Sequence, residues 1–304
     1  MATIDRSTII RGPAQVTFGG QVFFSKGNIS VTVETSQFEQ TSDVFGIIKR
    51  VKTDTQVRVR FTPVGEIDQT AVLYPYFSSA LGTSLFGSTD SVLEIKGLKN
   101  KLTVYNCAVT QMPSLTLGAG VTAFGEVEIT GLVKNSAEPD LQASYYAYAE
   151  STNTYSTDFD PTKVKSGEYQ ATYLGYTHTA VEPFNVEFNL ELAPVTIDAI
   201  GTVDMRLQEV GWTATWSPVH GSIPTYILQY LTQSVNMGGS LYQTAITIAG
   251  PTGQVKFEAD LATLVSSDMA WGTDVNLSGP LTVQGTRDIN SGALDPICAI
   301  GIAS

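Results

Sequence analysis

The chain has 304 residues, 42% hydrophobic and 15% charged, a balance that suits a packed globular protein of about two ordinary domains and excludes a disordered one. Acidic residues outnumber basic ones 29 to 17, and the net charge of -12 opposes the phosphate-neutralising grip of a conventional DNA-binding protein. The opening "MATIDRSTIIRGP" has no apolar core behind a basic start, and no window reaches the roughly 18 continuous apolar residues of a membrane span, so synthesis and folding in a cytoplasm, without a membrane, are expected.

Along the chain, Ile29, Val31 and Val33 alternate with Ser30, Thr32 and Glu34, which predicts a strand with one buried and one polar face. The segment "TSQFEQTSDVFG" (35–46) follows as a hairpin loop carrying apolar groups. These either form a contact surface or fold back over their own sheet. Gly46 to Phe61, with Val57, Val59 and Phe61 opposed to Arg58 and Arg60, exceeds the ~5–6 residues of an ordinary strand and predicts an extended arm or a bulge. The Pro63-Val64 turn stops its ladder, because proline donates no hydrogen bond. Next, "EIDQTAVLYPYFSSAL" (66–81) sets Ile67, Val72, Leu73, Tyr76 and Phe77 at helical spacing, with Pro75 inside the pattern. Strands resume at "VLEIKG" (92–97), "LTVYNCAV" (102–109) and "VEITG" (127–131), where Val127 and Ile129 oppose Glu126 and Glu128. Residues 144–163, "SYYAYAESTNTYSTDFDPTK", show neither period and read as a joint between domains.

After the joint the same order recurs. Sliding the chain over itself by 155 residues lays positions 12–64 on 167–219 without a gap, with identities such as Gly20/Gly175, Thr41/Thr196, Asp43/Asp198, Gly46/Gly201 and Pro63/Pro218. Apolar character persists where identity is lost, as in Phe18/Tyr173, Val57/Trp212 and Phe61/Trp216. Val186, Phe188 and Leu190 alternate with Glu187, Asn189 and Glu191, and "SIPTYILQYLTQSV" (222–235) supplies a second helical window. "AITIAG" (245–250), "VKFEADLA" (255–262) and "VNLSG" (275–279) answer the later strands of the first half. The expected fold is mainly β: two tandem antiparallel β-sandwich domains, 1–150 and 151–304, each with one α-helix.

The chemistry-bearing residues form no recognisable site. His178 in "YTHTA" and His220 after the second Pro-Val turn read as surface or turn histidines. Cys107 and Cys298 fit no metal or redox spacing, and Cys107 reads as a buried free thiol. Asp158 and Asp160 in the joint, like Glu126 and Glu128 on a strand, could serve acid-base or cation chemistry, but a solvated loop or strand face explains them as well. No catalytic residue, cofactor site or metal site is expected.

The "TSDVFG" loop before a long strand, the passage "RVRFTPVGEI" into a helix, and the closing "FGEVEITGL" together resemble the tail tube (major tail) proteins of long-tailed bacteriophages, related in fold to Hcp-like secretion tubes. The resemblance covers both halves. It implies a structural virion protein, assembled in the bacterial cytoplasm, whose domains form six-membered rings that stack into the conduit for genome delivery. Two domains per chain then imply a homotrimeric ring. Implied partners are further copies of the chain, the tail tip and tail terminator proteins, and the tape measure protein during assembly. Genomic DNA passes through the lumen without specific binding. Ring-stacking candidates are Phe38, Asp43 and Phe45 in the first loop and Val195, Asp198 and Ile200 in the second. Lumen candidates are Glu126, Glu128, Glu187 and Glu191, whose charge would repel phosphate. Two other readings remain open: a distal tail or hub ring, or an Hcp-like secretion tube, on the same fold; and a tandem β-sandwich binding module for carbohydrate or a host surface, using Tyr145, Tyr146 and Tyr148.

Overall fold

The computed structural model describes residues 14–64, 69–86, 91–119, 121–134, 141–150, 152–155, 168–180, 182–198, 200–218, 244–267, 280–285 and 296–303. Its first half runs β1 (Gln15–Phe18), β2 (Gln21–Phe24), β3 (Ser30–Ser42), β4 (Gly46–Phe61), α1 (Thr70–Leu73), β5 (Leu93–Lys96), β6 (Asn100–Val104), β7 (Cys107–Gln111), β8 (Leu115–Gly118), β9 (Val121–Phe124), β10 (Val127–Gly131) and β11 (Tyr146–Glu150). Its second half runs β12 (Gln170–Tyr173), β13 (Tyr176–Thr179), β14 (Phe184–Ile197), β15 (Gly201–Trp216), β16 (Thr244–Ala249), β17 (Val255–Ser267), β18 (Leu281–Gly285) and β19 (Ala299–Ile302). The protein is mainly β, with antiparallel sheets and one short helix among the described residues.

In the first half one sheet has the order β11-β6-β5-β1-β2 and the other β3-β4-β10-β7. Their apolar faces meet through side chains such as Phe23 of β2 and Phe61 of β4, whose rings lie 5.8 Å apart. The second half contains the orders β19-β17-β16-β12-β13 and β14-β15-β18-β17. The two orders share β17. In the first half the corresponding path is cut between β6 and β7 at Tyr105-Asn106, where Asn106 takes a φ of 46° and its side-chain amide donates to the Val133 carbonyl at 3.1 Å. β17 instead runs through both layers, with irregular registers between Ala259 and Ala262 and between Leu264 and Ser266 as it passes from β16 to β18. Bulges of this kind let one strand turn the corner between sheets.

Several sequence expectations change here. Of the helix predicted over 66–81, the described residues 69–81 keep only the four residues of α1 as α-helix. A single turn is below the length at which a helix sustains itself, and Pro75 disfavours helical geometry at Tyr74 before it. Tyr74 and Tyr76 instead anchor the following turns, donating their hydroxyls to the carbonyls of Pro113 at 2.9 Å and Val109 at 2.8 Å. The second helical window, 222–235, lies outside the described residues, as does "VNLSG". The strand beside β15 is Leu281–Gly285: Leu281 faces Trp216 in the register that Val127 takes opposite Phe61. The joint is not wholly irregular, since Tyr146 to Glu150 form β11 against β6.

His178 is another correction. It is buried on β13, with its ring 5.9 Å from that of Trp216. At the offset of 155 it stands where Phe23 stands, and Trp216 where Phe61 stands, so a histidine fills an aromatic core position. His220 lies outside the described residues.

Candidate assembly surface

Among the described residues, no sheet lies beneath the outer part of the β3–β4 hairpin ribbon. Every residue of β3 from Ser30 to Thr41 is exposed, as is β4 from Gly46 to Thr53. Val31 and Val33 share a face with the buried Val57 and Val59 of β4, to which they pair, yet both are exposed because β3 is an edge strand. The expectation that they are buried fails for want of a neighbour. Further out, Phe38 is 61% exposed and Phe45, at the tip, 81%. The first loop therefore does not fold back over its own sheet. Asp43 sits at the same exposed tip, where Gly46 takes a φ of 70°.

The β14–β15 hairpin has the same construction. β3–β4 breaks register between Ser36/Gln37 and Gln40/Thr41, and β14–β15 between Glu191/Leu192 and Val195/Thr196, which are the same positions displaced by 155. Its surroundings differ. The first half packs against it in three places. β8 pairs with β14 over Phe184 to Val186, closing that edge. The loop before β5 adds a short ladder to β15: Gly82 N–H donates to the Leu207 carbonyl at 2.7 Å, Leu207 N–H to Thr83 at 3.0 Å, and Leu85 N–H to Met205 at 2.9 Å. Near the tip, the Asp54 carboxylate accepts the backbone N–H and the hydroxyl of Thr202, both at 2.9 Å, while the Gln56 amide donates to the same carboxylate at 2.9 Å. Thr202 is consequently 3% exposed. A Cβ on Gly201 would lie 2.6 Å from Asp54 Oδ1 and 2.8 Å from the Thr53 carbonyl oxygen. Behind this contact, Phe188 of β14 packs its ring 5.0 Å from Tyr74 and 5.3 Å from Phe77, so one apolar core spans both halves. Of the second-loop candidates, Val195 and Ile200 are half-buried, Ile200 packing against that core, and Asp198 is exposed.

The polar faces of the two hairpin sheets carry different charge. On the first, Arg58 and Arg60 alternate with the core residues of β4. Arg60 Nε donates to Glu128 at 2.6 Å, Arg58 lies 3.1 Å from Glu34, and Thr110 Oγ1 donates to Glu128 at 3.0 Å. Glu128 is thus buried and charge-compensated, and its hydrogen bond raises the Arg60 pKa further above the ordinary arginine value. On the second, Thr213 and Thr215 replace the arginines, opposite Glu187 and Asn185. The Asn185 amide donates to Glu187 at 3.1 Å. Glu187 and Glu191 are exposed, and the described residues of that face on β14 and β15 include neither Lys nor Arg up to Glu191 and Glu209. Glu126, also exposed, lines one cleft of about 480 Å³ together with Thr110, Ser114, Glu187 and Asn189. The polar faces of the two halves adjoin there. In the sequence, the offset of 155 that sets Arg58 and Arg60 against Thr213 and Thr215 signals this asymmetry.

Burial lowers the His178 pKa, with a hydrogen bond involving the Tyr173 backbone acting weakly in the opposite sense. Cys107 and Cys298 are buried free thiols; burial pushes Cys107 up to about 12 and Cys298 well up too. Asp158 and Asp160 fall outside the described residues. Tyr145 is buried, Tyr146 half-buried and Tyr148 exposed, so the three do not form one aromatic platform. Among the described residues no group of His, Cys, Asp and Glu could hold a metal ion, and no helix is long and apolar enough to cross a membrane. No protein-family profile matches the chain, and no curated protein sequence matches it.

Proposed function

We propose that the chain is a ring-forming structural protein of a bacteriophage tail tube, built from two tandem β-sandwich domains of one ancestral design, 1–150 and 151–304. The observation that carries this reading is the pair of long hairpins with identical bulges, one covered by the other half of the chain and one bare. The recurrence of strand order in both halves supports the duplication. An exposed edge strand with large apolar side chains is a pairing and docking surface, and closing such edges around a ring removes them. Heterologous contacts that close make rings, and two units per chain make a six-unit ring from three chains.

The adjoining polar faces suit a lumen. Exposed carboxylates at Glu126, Glu187 and Glu191, beside threonine and asparagine side chains, repel DNA phosphates and let a duplex slide. Glu128 serves there as the counter-ion of Arg60. Phe38, Asp43 and Phe45 on the bare ribbon reach the adjacent ring, and tail tip, tail terminator and tape measure proteins are the partners at the tube's ends and during its assembly. The protein acts in the virion and performs no catalysis.

Electron microscopy of the purified protein with mass photometry tests the reading. Rings or tubes with a central hole and a mass of three chains per ring are expected. A persistent monomer that binds glycans would instead favour a tandem binding module. Phe38→Asp is expected to shorten or abolish tubes without loss of folded protein, and unchanged tube length would remove Phe38 from the stacking surface.

A further inference from the structure

The covered hairpin reads as a template for what covers the bare one. At the offset of 155, several features that the first half covers on β14–β15 have open counterparts on β3–β4. The closed edge at Phe184 to Val186 corresponds to Ile29 to Val31, where β3 is the last strand of its sheet. Gly201, packed against Thr53 and Asp54, corresponds to Gly46, around which a Cβ would meet nothing within 4 Å. Thr202, buried by the Asp54 clamp, corresponds to the exposed Ile47, and half-buried Val203 to exposed Ile48. Asp54 itself corresponds to Glu209, an exposed carboxylate on β15.

We infer that the bare face of β3–β4 is occupied by the second half of another copy of this chain, so that Glu209 of one copy accepts the Ile47 backbone N–H of the next, as Asp54 does from Thr202 within the chain. The inference rests on reading the two halves as copies of one unit. It adds to the proposed function the direction of the joint, second half onto first hairpin, and the residues that make it. The joint is heterologous, since the donor and acceptor surfaces differ, and the internal contact between halves has the same sense. Each added copy therefore continues one rotation. The two joints differ in chemistry. The internal one gains a hydroxyl donor from Thr202, whereas the one between copies places the aliphatic Ile47 and Ile48 there, in keeping with a contact that must drive association by apolar burial.

Mixing an Ile47→Cys chain with a Glu209→Cys chain under mild oxidation tests this. The native cysteines are buried, and Asp54→Cys/Thr202→Cys within one chain verifies that the geometry permits the bond. Disulfide-linked dimers are expected in the mixture roughly a hundredfold faster than in either chain alone, because a docked pair holds its thiols at an effective concentration of order millimolar. Rings seen by microscopy without this link would overturn the joint and leave the tube reading standing. Linked dimers without rings or tubes would uphold the joint and overturn the tube. No link and no assembly would overturn both. As a second measurement, Ile47→Asp, which sets a carboxylate against Glu209, is expected to abolish association, while Ile47→Thr, which supplies the hydroxyl of the internal joint, retains it. Wild-type association by Ile47→Asp would exclude the joint.

Discussion

Asp54 is the residue through which the contact between halves can be measured. Its carboxylate accepts three hydrogen bonds, two from Thr202, whose backbone N–H and hydroxyl are buried, and one from Gln56, which is half-buried. Asp54→Ala leaves the Thr202 donors without this acceptor. A bond to a charged group contributes about 1.5–3 kcal/mol, and an orphaned buried donor costs about 1–3 kcal/mol. Gln56 can turn to water, and the two Thr202 losses overlap, so the expected destabilisation is about 2–4 kcal/mol. Asp54→Asn keeps an acceptor for the backbone N–H and loses the charge and one acceptor site, for about 1–2 kcal/mol. Glu209→Ala, at the exposed counterpart, should stay within about 0.5 kcal/mol in the isolated chain. Urea denaturation followed by tryptophan fluorescence, at concentrations below any assembly, gives all three values. Asp54→Ala indistinguishable from wild type, or Asp54→Asn as damaging as Asp54→Ala, would refute the view that the clamp holds the halves together.

Other expectations follow from burial. A Cβ on Gly285 would intrude on the indole of Trp212, which is buried and donates to the Ile297 carbonyl at 3.0 Å; Gly285→Ala should therefore cost about 2–4 kcal/mol and alter the near-ultraviolet circular dichroism of the tryptophans. His178 has a lowered folded pKa, so the unfolded chain binds the proton first as pH falls through its ordinary value of 6.5. Its contribution to stability is present above that pH and lost below it, down to the depressed folded pKa. The melting temperature should drop over that window, and His178→Phe, which installs the residue of the matching first-half position, should flatten the drop. An unchanged slope would exclude His178 as its source. The thiols of Cys107 and Cys298 should resist Ellman's reagent at pH 8 in the native protein and both react after denaturation. Rapid labelling of the folded chain would contradict their burial.

Much of the strand pattern was legible because alternation and repetition are local properties. The long strands, the Gly46 and Gly201 turns and the matching halves follow from residues read in order. The stretch around His178 reads as surface because its neighbours are polar and exposed. The core role of His178 appears only on setting it beside Phe23, where the offset comparison already pointed. Glu128 looked like a solvated carboxylate for the same reason, since the alternation of β10 does not reveal that Arg58 and Arg60 of β4 lie across the ladder. That Leu281–Gly285 lies beside β15 is a choice made by pairing, which the pattern of a short apolar segment does not by itself specify.

By itself the sequence determined antiparallel β structure, the internal repeat, the two long hairpins and the apolar groups on the first loop, because side-chain period, glycine at positive φ and proline stops act within a few residues. Tertiary structure alone decided which hairpin is covered and which is bare, that β17 runs through both layers, and that the polar faces of the halves meet at Glu126 and Glu187. Those outcomes depend on contacts between segments distant in sequence, such as Asp54 with Thr202, whose energy is shared between two segments and written in neither alone.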